Sequence, residues 1–158
     1  MKNLILLLTI IISIQTTAQV DSIYKNYKFI SKNDAVVYSL TFIAGMAEGF
    51  RDALSFHFST GVQKTLPNIN PNFWNPKISW VNKNESDFLR LFPMFSDGWH
   101  AVNVPNHLGN VAAIAISTSD FQGKYRGWRL LRKAAFSILA NRAGFLLTYN
   151  VIFRDRVN

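Results

Sequence analysis

The chain of 158 residues contains no cysteine and few charged residues, and both features limit the kinds of protein that it can be. Without cysteine it cannot hold a disulfide scaffold, a thiolate metal site or a cysteine nucleophile. Charged residues make up 16% of the chain, against roughly 25% in typical soluble domains, while apolar residues make up 49%. This balance excludes disorder along the whole chain and makes contact with a membrane plausible. The length fits one domain, alone or behind a targeting segment.

The N-terminus has the pattern of a secretory signal peptide. The first three residues include one lysine, residues 4–14 are almost wholly apolar, and small or polar residues follow. About eleven apolar residues are too few to span a bilayer, which takes roughly 20. We therefore predict a signal peptide over residues 1–18 and a single helical domain over residues 19–158. Such a protein is exported to the inner membrane or periplasm of a bacterial cell envelope. An uncleaved anchor helix is the alternative.

The region after the predicted signal peptide indicates a mostly α fold, a small bundle of about three main helices. Residues 35–58 are apolar and free of proline, and Asp34 suits the N-cap position before them. Pro105 suits the first turn of a second helix, and residues 128–153 form the third. Residues 59–93 hold four of the five prolines, many asparagines and many aromatic residues. They predict a long ordered connection that turns often and packs onto the helices.

The first and third predicted helices are long enough to cross a bilayer, but charged side chains oppose it. Arg51 and Asp52 lie inside the first helix and Arg142 inside the third. Each such residue costs roughly 2.5–3.5 kcal/mol at a bilayer centre. We therefore expect association with a membrane more than a firm crossing of it.

The C-terminal third is strongly basic. Residues 124–156 contain eight of the 17 basic residues and one acid, Asp155. Arg126, Arg129 and Lys133 recur at helical spacing, which predicts a patch for anionic lipid head groups beside an interfacial tryptophan. A solvated helix face is the alternative. Nucleic acid is not expected as a partner, because export would take the protein away from it.

Four ionisable side chains form the candidate site: Asp52, His57, Asp97 and His100. Asp97 and His100 lie three residues apart, so the carboxylate could orient the imidazole as a general base. Imidazole and carboxylate ligands would also suit zinc or iron, although the sequence leaves any cofactor unassigned. No Walker, HExxH, GxSxG or GxGxxG motif is present. Alternatively, these groups hold the connection onto the helices through hydrogen bonds, or line a binding pocket without turnover.

Three blocks of sequence carry a resemblance to a known family. They are Ala44-Gly45 with Gly49, Asp52 and Phe56-His57; Phe73-Trp74-Asn75-Pro76 with Ser79-Trp80 and Asn82-Lys83; and Asp97-Gly98-Trp99-His100. Together they resemble a family of small bacterial exported or membrane proteins with FWNPxxSWxNK and DGWH blocks. Asn84 stands where that pattern has an aromatic residue. The family has no assigned activity, so the resemblance implies a shared site without naming its chemistry.

Two hypotheses for the function follow. In the first, the chain is an envelope- or membrane-associated helical protein whose polar cluster is mainly structural or ligand-binding. In the second, it is a small metal-dependent or His/Asp acid–base hydrolase acting on an envelope lipid or glycan. Convergence of the four candidate side chains beside an open pocket would favour the hydrolase, whereas sealed side chains bonded to the backbone would favour the first hypothesis.

Overall fold

The computed structural model describes residues 30–119 and 126–156, except for the side chains of residues 83, 119 and 126. Over these residues the fold is mostly α, as predicted, and contains no strand. The long helices in these ranges are α1 (Lys32–Phe56), α2 (Gly98–Ser119) and α3 (Arg126–Leu146). The predicted signal peptide lies outside the described residues. No helix in the described ranges combines the length and the apolar character needed to cross a membrane.

The connection between α1 and α2 consists of short helical turns. They are a π-helical turn Phe58–Val62, the α-helical turns Gln63–Thr65, Pro71–Trp74, Pro76–Ser79 and Asp87–Leu91, and the 3-10 turns Asn82–Asn84 and Pro93–Phe95. The Asn-Pro steps explain two of these turns. The side chains of Asn70 and Asn75 accept the backbone N–H groups of Asn72 and Lys77, at 3.0 and 3.1 Å. Each asparagine is thus an N-cap, and the proline after it occupies the first helical position, where no N–H is needed.

Helix α1 lies at the centre, with α2 and α3 packed along it. The backbones of α1 and α3 come unusually close, because both helices have glycine where they cross. A Cβ atom at Gly45 would overlap the carbonyl of Asn141, and one at Gly144 would overlap the carbonyl of Phe42. Glycine therefore sets the distance between these two helices.

The hydrophobic core lies at the C-terminal end of α1. Its buried members are Ala53, Leu54, Phe58, Val62, Val102 and Phe153. The ring of Phe50 joins three parts of the chain here, since its centroid lies 5.6 Å from that of Trp74 and 4.8 Å from that of Phe153. The beginning of the connection and the C-terminal segment are thereby packed against α1.

Three expected helix boundaries are wrong. Helix α1 begins at Lys32, so Asp34 lies inside its first turn rather than at the N-cap. Helix α2 begins at Gly98, seven residues before Pro105, because the carboxylate of Asp97 caps the helix there. Pro105 lies inside the helix, where its missing N–H removes one helical hydrogen bond. Helix α3 ends at Leu146 and continues as a π-helical turn, Leu147–Ile152, instead of running unchanged to Phe153.

The packing predicted for the aromatic residues of the connection is only partly confirmed. Trp74 packs against the core. The aromatic residues later in the connection do not pack against the core. They are Trp80, Phe88, Phe92 and Phe95, and all four are exposed. The aromatic content of this segment reflects order near its beginning and an apolar surface further along.

Candidate functional site

Asp97 is the centre of a small polar cluster at the start of α2. Its carboxylate is buried and accepts the backbone N–H of His100 at 2.9 Å, which makes it the N-cap of the helix. The same carboxylate lies 2.7 Å from Nδ1 of the His100 ring and 3.2 Å from the Ser96 hydroxyl. Asp97 thus fixes both the helix start and the orientation of the His100 imidazole, whose side chain is 30% exposed.

The connection is fastened to this cluster by residues of the FWNPxxSWxNK block. Gly98 lies directly against the indole of Trp74, so that a Cβ atom there would overlap the ring. The Asn82 amide donates to the carbonyls of Asn72 and Ser96, at 3.0 and 3.1 Å. The second and third sequence blocks therefore meet in the fold.

Arg51 links α1 to α2 beside this cluster. Its guanidinium donates to Oδ1 of Asp52 at 2.9 Å and to Oδ1 of Asn103 at 3.2 Å, and it lies 5.7 Å from the centre of the Trp99 ring. The Trp99 indole N–H in turn donates to the Ser55 hydroxyl at 3.1 Å. Asp52 is consequently engaged by its neighbour Arg51.

His57 faces the C-terminal segment. Its Nε2 lies 3.1 Å from the hydroxyl of Tyr149, and the two ring centroids are 4.5 Å apart. Within the described part of the chain, its buried Nδ1 has no hydrogen-bond partner. Burial raises the pKa of the Tyr149 hydroxyl, and the negative charges of Asp52 and Asp155 raise it further. No sequence signal marked Tyr149, because its partner lies 92 residues away.

Each of the four candidate residues thus belongs to a pair: Asp97 with His100, Asp52 with Arg51, and His57 with Tyr149. Nowhere in residues 30–119 and 126–156 do three or more imidazole or carboxylate side chains lie together in a way that could hold a metal ion. The metal-dependent form of the hydrolase hypothesis has no ligand set there. The Asp97 carboxylate orients the imidazole of His100, and a catalytic role for this pair stays a prediction.

The predicted patch for lipid head groups needs a correction at Lys133. This residue is buried, and its ammonium lies 3.2 Å from Oδ1 of Asp34 instead of facing solvent. Arg132, also buried, lies 2.8 Å from Oδ2 of the same carboxylate. Asp34 draws both cations inward because its own side chain is buried at the start of α1. Arg129 is half-buried, and the side chain of Arg126 lies outside the described residues.

Replacing Asp97 by alanine is expected to lower the free energy of unfolding by about 1–2 kcal/mol, in the upper range for the loss of an N-cap. Asp97→Asn should lose less, since an amide oxygen still accepts the His100 N–H. Urea unfolding followed by circular dichroism measures both. The exposed Asp87→Ala is the control and should change stability by no more than about 0.5 kcal/mol. Equal stability of Asp97→Ala and the wild type would contradict the capping role.

Comparison of the chain with known protein families, curated proteins and solved structures gave no match. In the described residues, a polar cluster lies at the start of α2, where Trp74 and Asn82 of the connection contact it. The connection also exposes an apolar surface.

Proposed function

We propose that the protein is an exported helical protein of a bacterial envelope that attaches to a membrane surface through its long connection. The attachment site is an aromatic patch, defined as Phe88, Leu91, Phe92 and Phe95. The single observation that carries the proposal is that all four side chains of this patch are exposed. The polar cluster around Asp97 serves the fold in this proposal.

The rings of the aromatic patch contact one another. The Phe88 centroid lies 5.2 Å from that of Phe92 and 5.8 Å from that of Phe95, while Leu91 is 76% exposed. An exposed cluster of this kind marks an interaction surface, because isolated apolar side chains need no partner but clustered ones do. The same connection also exposes Ile78, Trp80 and Val81.

A bilayer surface suits the patch for two physical reasons. Aromatic and leucine side chains gain free energy at the boundary between head groups and acyl chains. The full chain also carries a formal net charge of +8, which becomes +7 when the predicted signal peptide with Lys2 is removed, and this charge attracts it to anionic lipids. Apolar contact and long-range charge therefore act in the same direction.

The polar cluster supports the presentation of the patch. The hydrogen bond from Asn82 to the Ser96 carbonyl closes the segment that contains all four patch residues. Asp97 follows immediately and begins α2. Since both ends of the segment are fixed in the folded protein, the patch loses little further conformational entropy when it binds a membrane.

The double variant Leu91→Ser, Phe92→Ser is expected to bind vesicles about 100-fold more weakly or worse, because each side chain contributes roughly 1.5–3 kcal/mol when the bilayer buries it. Flotation with vesicles of phosphatidylethanolamine and phosphatidylglycerol measures the effect. Phe56→Ser is the matched control, since Phe56 is 72% exposed on α1 and lies outside the patch. The proposal is wrong if the double variant binds like the wild type, or if Phe56→Ser binds as weakly as the double variant.

A further inference from the structure

A groove lies between α2 and α3, with α1 as its floor. Its volume is about 600 Å³, which falls within the roughly 300–1,000 Å³ of pockets for small molecules. Helix α1 contributes Val37, Thr41 and Glu48 to its lining. None of the candidate residues of the polar cluster lines this groove, so it is a separate site.

One stretch of the groove is apolar. Ala113 and Ile114 of α2 line it together with Ala134 and Ile138 of α3. Ile114 and Ile138 are each 64% exposed, so apolar side chains at the rim meet water when the groove is empty of ligand. A flexible acyl chain lying between them would remove this apolar surface from water.

Another stretch is polar and carries both signs of charge. Glu48, Asn141 and Arg142 line it. The close approach of Gly45 to Asn141 brings this part of α3 to within one helical turn of Glu48. In the described residues, no hydrogen bond or ion pair links the Glu48 side chain to another residue. A carboxylate and a guanidinium are thus available at the same end of one groove.

We infer that the groove binds a single-chain phospholipid with a phosphoethanolamine head group. Arg142 binds the phosphate, Glu48 accepts hydrogen bonds from the ammonium, and the acyl chain lies between Ile114 and Ile138. The charges decide the head group, because a glycerol head has no cation to offset the phosphate beside Glu48, and a choline ammonium has no N–H to donate. The inference rests on the proposed function only in that a membrane supplies the lipid.

Isothermal titration of the full chain with monomeric lysophosphatidylethanolamine tests the site without any vesicle. We expect one site, with weaker binding of lysophosphatidylcholine and lysophosphatidylglycerol. Glu48→Gln should weaken the ethanolamine lipid about tenfold and strengthen the glycerol lipid, because it removes a charge that attracts one head group and repels the other. Arg142→Gln should weaken all three, because they share the phosphate.

Matched controls separate the groove from general charge effects. Glu85→Gln and Arg154→Gln remove the same charges at exposed positions outside the groove and should bind all three lipids like the wild type. The double variant Leu91→Ser, Phe92→Ser should also bind the lysolipid normally, so failure of the aromatic patch and failure of the groove give different results.

Three results would overturn the inference. The first is no binding of the ethanolamine lipid, and the second is equal binding of all three lipids that Glu48→Gln leaves unchanged. The third is a dimer in light scattering that Ile114→Asp with Ile138→Asp converts to a monomer, which would assign the groove to a second copy of the chain. Circular dichroism of each variant confirms that it is folded before titration.

Discussion

Asp34→Ala is expected to lower the free energy of unfolding by about 3–5 kcal/mol, the cost of removing one partner from a buried ion pair. Asp34 is 1% exposed and lies within 3.2 Å of the ammonium of Lys133 and 2.8 Å of the guanidinium of Arg132. Without its carboxylate, the buried side chains of Arg132 and Lys133 both lose the anion that they contact here. A domain of this size is stable by about 5–15 kcal/mol, so the loss is a large fraction of the total.

Urea unfolding of the variant and the wild type measures this loss. Asp87→Ala is the matched control, because the bridge from Asp87 to Arg90 is exposed and such bridges contribute about 0–1 kcal/mol. Adding Lys133→Met to Asp34→Ala should restore part of the stability, since it removes one of the two buried cations that have lost the Asp34 carboxylate. A loss below about 1 kcal/mol in Asp34→Ala would show that the ion cluster does not hold α1 to α3.

The second large effect is expected at the glycines between α1 and α3. Gly45→Ala and Gly144→Ala each place a methyl group where the partner helix has its backbone carbonyl. A backbone cannot rotate away as a flexible side chain can, so the helices must separate. Overpacking of this kind costs typically about 1–3 kcal/mol, and we expect values at the upper end.

Gly127→Ala is the matched control on the same helix as Gly144. Among the residues that the structure describes, no atom lies within 4 Å of the position that its Cβ would occupy. Since alanine favours helix over glycine, this variant should be unchanged or more stable by up to about 1 kcal/mol. Thermal unfolding measures the stability of the three variants. If Gly45→Ala and Gly144→Ala are as stable as Gly127→Ala, the two helices do not cross as closely as the structure indicates.

The features that the sequence predicts well are local ones. Ala, Leu and Met without proline favour α1, and the Asn-Pro steps specify caps whose partners lie two residues away. The pairing of Asp97 with His100 is equally local, since it spans one helical turn. Local hydrogen bonds depend on a few neighbouring residues, which is why their spacing alone indicates them.

The features that the sequence does not predict depend on distant partners. Arg132 lies 98 residues from Asp34, so nothing in the spacing of the basic residues distinguishes a buried cation from a solvated one. His57 and Tyr149 are 92 residues apart, and Phe42 meets Gly144 across the α1–α3 crossing. Tertiary packing decides which side chains are buried, and the local sequence does not show it. For this reason the sequence predicts that Phe92 and Phe95 pack onto the helices, whereas both are exposed.

Hydrogen–deuterium exchange with and without vesicles of phosphatidylethanolamine and phosphatidylglycerol tests the proposed membrane attachment most directly. We predict slower exchange in residues 86–96, which contain the aromatic patch, and unchanged exchange in α1. Slower exchange confined to α2 and α3, or no change in residues 86–96 while the protein floats with the vesicles, would contradict attachment through the patch.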